Sequence, residues 1–86
     1  MSAFKQIKND VKQFKADHPG QPGFVRIVGT DDQKEAYDAE EIVYADDLGL
    51  IMARKVVYAS GKAIGYTTDF WTIDRIKKIS IAATRV

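Results

Sequence analysis

The segment Pro19-Gly20-Gln21-Pro22-Gly23 divides the chain into two stretches whose apolar residues recur with different periods. Before it, Phe4, Ile7, Val11 and Phe14 step by 3, 4 and 3, which places them on one face of an α-helix. After it, apolar residues come in short runs and alternations separated by turn residues, the pattern of strands. One helix followed by strands constrains the topology, with sequential antiparallel strands joined by short turns as the default connection. The expected fold class is α+β, with an N-terminal amphipathic helix followed by about five antiparallel strands.

Ser2 is a candidate N-cap, since its hydroxyl can accept an unpaired amide hydrogen of the first turn. Pro19 disfavours helical geometry at His18, so the helix is expected to end near Ala16 or Asp17. A single domain follows, with the helix at about 3–17, a connector at 18–23 and a sheet at about 24–84.

Within the second stretch, Phe24 to Val28 reads as a strand ending at the turn Gly29-Thr30-Asp31-Asp32. Glu41 to Tyr44 and Leu48 to Met52 flank Asp46-Asp47-Leu48-Gly49, a type I turn inside a hairpin. Val56, Val57 and Tyr58 lead to Ser60-Gly61, a second hairpin turn. Ile64, Tyr66, Thr68 and Phe70 alternate as in a half-buried strand, and most of these aromatics are expected in the core. Ile79, Ile81 and Ala83 alternate likewise, after a tight helical turn at Ile73-Asp74-Arg75-Ile76. Gln33 to Glu40 fits a strand edge, a loop or a short helical turn. Sequential antiparallel strands of this number curl into a small SH3-like or Sm-like barrel, or a strongly bent meander.

The run Val25-Arg26-Ile27 through Ile42-Val43-Tyr44-Ala45-Asp46-Asp47-Leu48-Gly49-Leu50-Ile51-Met52 is similar to the first half of an Sm-like RNA-binding domain. The resemblance implies a ring-forming oligomer that binds RNA. The asparagine such domains carry after the aspartate turn is Gly49 here.

Catalytic constellations are limited by inventory. His18 is the only histidine and there is no cysteine, which excludes a His-His site in one chain, a thiolate metal site and a disulfide scaffold. No phosphate-binding glycine pattern occurs. Tyr44-Ala45-Asp46-Asp47 resembles the catalytic hairpin of reverse transcriptases. Two-metal chemistry, however, needs carboxylates converging from separate elements, so the pair reads as turn chemistry. The acids do not follow the EF-hand spacing. No metal and no cofactor is expected.

Charge is the remaining signal. Between Asp31 and Asp47 lie eight acids and one base, Lys34; elsewhere there are twelve bases and four acids. A formal charge of +1 thus conceals two opposed blocks. Asp31, Asp32, Glu35, Asp38, Glu40 and Glu41 form the acidic candidate surface. Lys5, Lys8, Lys12 and Lys15 form a second stripe on the helix beside the apolar one. Arg75, Lys77 and Lys78 extend the basic candidate surface, with Tyr58 and Trp71 as candidate exposed aromatics.

These residues point to a small non-enzymatic binding module with segregated acidic and basic surfaces. The expected partner is another protein or a second copy, acidic edge to basic edge. Nucleic acid, as for an Sm-like barrel, is the alternative, and a small enzyme with a site across subunits is a third reading. The N-terminus lacks a secretory pattern and no apolar run is long enough for a membrane span, so a cytoplasmic protein without a membrane partner is expected.

Overall fold

The computed structural model describes residues 3–85. One helix, α1 (Lys5–Asp17), precedes six strands: β1 (Phe24–Gly29), β2 (Lys34–Asp38), β3 (Ile42–Ala45), β4 (Leu50–Ala59), β5 (Lys62–Thr72) and β6 (Ile76–Ala82). They form two three-stranded antiparallel sheets, ordered β2-β1-β6 and β3-β4-β5. The α+β class holds. Neither sheet closes, so no barrel is present among the described residues.

The helix ends at Asp17 as Pro19 requires, and His18 donates its amide hydrogen to the Phe14 carbonyl. Ser2 lies outside the described residues. The N-cap position is Phe4, whose side chain is buried and offers no cap. The acceptor comes from across the fold: Asp46 Oδ1 takes the Phe4 amide hydrogen at 3.1 Å and Oδ2 takes Lys8 Nζ at 2.7 Å. A carboxylate there complements the positive end of the helix. The aspartate turn is a 3-10 turn, Asp46–Leu48, closed by Gly49 at φ 58°.

The N-cap Phe4 and Ile7 of α1 join Val25, Ile27, Tyr37, Ile51, Ala53 and Trp71 in one buried cluster that unites the inner faces of both sheets. Val11 packs at its edge. Gln33 to Glu40 resolves into β2 followed by a 3-10 turn, Ala39–Glu41. In β2 only Tyr37 is fully buried, so an apolar pattern could not reveal the sixth strand. A 3-10 turn at Ile73–Arg75 matches the expected helical turn.

The largest difference from expectation lies in β4 and β5. They form one long hairpin joined by Ser60-Gly61, both at positive φ (52° and 78°), as a type I′ turn requires. β3 covers β4 only from Leu50 to Ala53. From Arg54 onward the hairpin is a bare two-stranded ribbon, projecting roughly 20 Å. The radius of gyration is correspondingly 13.2 Å, against about 12 Å for a compact chain of this length.

Candidate functional site

The two charge blocks meet inside the molecule. The five ion pairs among the described residues each join an acid of the 31–47 block to a base outside it. They are Lys77–Asp32 at 3.0 Å, Lys55–Glu35 at 2.8 Å, Lys15–Glu40 at 2.6 Å, Arg54–Glu41 at 3.5 Å and Lys8–Asp46 at 2.7 Å. Asp31 and Asp38 accept backbone amide hydrogens from Gln33 and Glu40, ordinary turn contacts. All six acidic-surface candidates therefore have partners within the chain.

The basic candidates scatter. Lys5 and Lys12 make no ion pair among the described residues, whereas Lys8 and Lys15 between them do. Arg75 lies over the Trp71 ring, 5.5 Å from its centroid. Lys78 lines a groove on the outer face of β2-β1-β6 with Arg26, Lys34 and Arg85, and with Lys77 it also lines a second groove beside Ala3 and Phe4 at the start of α1. Exposed pairs are worth only ~0–1 kcal/mol each, but they cancel the local field that would attract a charged partner.

Groups with chemical potential are held by one another. Tyr37 donates its hydroxyl to Asp69 Oδ2 at 2.6 Å and accepts from Trp71 Nε1 at 2.8 Å. Burial, then the Asp69 hydrogen bond, raises the Tyr37 pKa, so its proton is kept. Lys55, beside it, is raised by its bond to Glu35, which keeps the amine charged and non-nucleophilic. Tyr44 is pushed up to about 12 by burial. His18 is exposed and lies against the Phe14 ring at 4.7 Å. No group of acids and histidine with metal-holding geometry occurs among the described residues, and no helix there is long and apolar enough to cross a membrane.

The outer face of β3-β4-β5 is different. Strand alternation puts Ile51, Ala53 and Trp71 inward and their neighbours outward. Val43, Met52 and Phe70 form one outward rung across the three strands, Arg54 and Thr68 the next, then Val56 and Tyr66, then Tyr58 and Ala63. Val43 is 58% exposed, Phe70 56%, Tyr66 60% and Tyr58 61%. Arg54 lies 4.1 Å from the Tyr66 ring centroid, a cation–π contact that flattens its charged head onto the sheet. On the ribbon even the opposite face is bare, with Val57 exposed.

Trp71, expected as a contact aromatic, is instead 2% exposed and satisfied by Tyr37. Tyr66 and Phe70, expected in the core, are outside. The alternation was present, but the covered side is that of Trp71 and Asp69. Tyr58 is exposed as a contact residue must be. Val43, Val56 and Ile64 were missed, because an apolar residue at strand spacing gives no signal of exposure. Comparison with protein-family models, curated proteins and solved structures gives no match for this chain.

Proposed function

We propose that this chain is a non-enzymatic protein-interaction module whose contact surface is the outer face of β3-β4-β5 and the ribbon projecting from it. One observation carries the reading: a two-stranded ribbon bare on both faces displays Val56, Val57, Tyr58, Ile64 and Tyr66. An isolated hairpin is marginal in water, and monomeric proteins rarely leave a contiguous apolar face this open. Tyrosine with an arginine is also the composition of binding hot spots. Tyr37 and Lys55, interlocked with Asp69 and Glu35, both have raised pKa values and so keep their protons, which weighs against their acting as base or nucleophile.

A photo-cross-linking phenylalanine analogue in place of Tyr66, in cells that naturally express the chain, tests this. Covalent protein adducts are expected from Tyr66 and not from the helix position Lys12. Absence of adducts from Tyr66, Tyr58 and Phe70 alike refutes the module.

A second reading is nucleic-acid binding, as in an Sm-like domain. Its support is the groove lined by Arg26, Lys34, Lys78 and Arg85, where four bases meet a single acid, Glu35, itself paired with Lys55. Fluorescence anisotropy with single-stranded RNA and DNA at low salt tests it. Binding that weakens in the Lys34→Ala, Lys78→Ala double variant supports it, and no binding ends it.

A further inference from the structure

Resting on the interaction-module reading, we infer that the occupant of the ribbon is a second copy of this chain, joined by antiparallel pairing of β5 with β5 about a two-fold axis at Tyr66. The four sheet edges are β2, β6, β3 and β5. β3 has four residues, β2 has five with three charges, and β6 carries Lys77 and Lys78. β5 has eleven residues, with charges only at Lys62 and Asp69. Natural edges are kept apart by shortness and charge, and β5 has the least of both. The free ribbon edge of β4 is guarded by Arg54 and Lys55.

A two-fold interface requires a strand that complements itself. In the β4–β5 ladder Val57 opposes Gly65 and Tyr58 opposes Ala63, so Ile64 is an extra, bulged residue. The bulge shifts alternation: Lys62, paired with Ala59, comes onto the same inward side as Asp69, paired with Ala53. A two-fold axis at Tyr66 sets Gly65 opposite Thr67, Ala63 opposite Thr68 and Lys62 opposite Asp69 of the other copy. Both charges of β5 are then matched, the Lys62–Asp69 pair occurring twice by symmetry, and no like charges face each other. Without the bulge, Lys62 and Asp69 would lie on opposite faces, and this match could not form.

The area agrees. The chain exposes 5938 Å², whereas a folded monomer of 9.6 kDa exposes about 5,100 Å². The excess of roughly 850 Å², exposed by the projecting ribbon, is comparable to one partner's share of a standard protein interface, about 800 Å². Pairing would place each ribbon tip beside the base of the other copy's β5 and supply the third strand the ribbon lacks.

The test uses the full chain. Light scattering on a sizing column is expected to give twice the 9.6 kDa chain mass. Tyr66→Cys places a unique thiol at the axis, because the chain contains no cysteine. Under mild oxidation or with a short bis-maleimide it should link two copies, whereas Lys12→Cys should not. Lys62→Glu lies on an exposed tip and should leave thermal unfolding of the monomer unchanged, while weakening the dimer roughly tenfold or more through two like-charge contacts. A dimer in which Tyr66→Cys does not link, or which Lys62→Glu leaves unaffected, overturns this pairing. A monomer whose Tyr66 photo-adducts contain a different protein overturns it and preserves the module reading. A monomer without adducts removes both.

Discussion

Replacing Tyr37 by phenylalanine probes a buried polar contact that ties the two sheets together. Tyr37 belongs to β2, while Asp69 and Trp71 belong to β5, and the hydroxyl bonds both at 2.6 and 2.8 Å. Removing the oxygen strands the indole N–H of Trp71, which has almost no access to solvent. An orphaned buried donor costs ~1–3 kcal/mol. The Asp69 bond is charge-assisted, worth ~1.5–3 kcal/mol when fully buried, but its carboxylate is partly exposed and recovers water, so only a fraction is lost. The variant also no longer has to bury a hydroxyl, which offsets part of the loss. The expected cost is therefore about 2 kcal/mol, or a fall in Tm of roughly 8–16 °C for a domain of this size. Urea denaturation at fixed protein concentration measures it, followed by Trp71 fluorescence and by far-ultraviolet circular dichroism, with an unchanged m value. Trp71 is the sole tryptophan, so its emission reports the site itself. Pairing with Trp71→Phe in a double-mutant cycle should give a coupling of about 1 kcal/mol. A cost below ~0.5 kcal/mol, or no coupling, would show that the hydroxyl does not hold the sheets together.

Three further outcomes are expected. Burial pushes Tyr44 up to about 12 from 10.0, and Tyr37 moves the same way, so the native state keeps protons that the unfolded state releases. Stability should be intact below pH ~10 and decline from there towards pH ~12, by about 1.4 kcal/mol per pH unit for each tyrosine engaged. Tyr44→Phe should soften that decline while changing stability little at neutral pH, because the hydroxyl has no hydrogen-bond partner among the described residues; urea midpoints across alkaline pH decide it. In Gly29→Ala the new methyl would stand 2.6 Å from Asp31 Oδ1 and 3.1 Å from the buried Trp71 ring, so ~1–3 kcal/mol should be lost in the same assay. Asp46→Ala removes the acceptor at the helix N-terminus and the Lys8 partner together, and should cost ~1–2 kcal/mol and fray the first turn, seen as faster amide exchange near Phe4 and Lys5.

The helix was legible because its signals are local: four apolar residues on one face and a proline that stops it. The turns at Asp46–Gly49, Ser60-Gly61 and Ile73–Arg75 were legible for the same reason. What stayed hidden depends on contacts distant in sequence. β2 buries a single tyrosine beneath Lys34, Glu35 and Asp38, so its pairing with β1 defines it more than its own pattern does. Alternation in β5 showed two faces but not which one the core would cover, since Tyr66 and Phe70 are as apolar as Trp71. The closing of a barrel depends on edge pairing between β3 or β5 and the other sheet, and no residue type announces that.

The opposed charge blocks, which suggested electrostatic partner surfaces, take on a different role once Glu35 and Glu41 are placed. Arg54 and Lys55 are the first residues of β4 beyond the cover of β3. Lys55 is held by Glu35 on β2, in the other sheet, and Arg54 by Glu41 in the turn before β3. Two ion pairs on opposite sides of the ribbon thus fix its root in two directions. Neither adds much stability, since such exposed contacts rarely do. On the proposed module reading their effect is on entropy: a ribbon already held in place would lose less freedom when a partner docks. Arg54 then stacks on Tyr66 and presents its flat hydrocarbon and guanidinium surface as part of the face. Acids that pair within the chain cannot also recruit a basic partner at long range. On the proposed module reading, the charge segregation serves to orient the apolar face that carries Val56, Tyr58, Tyr66 and Phe70.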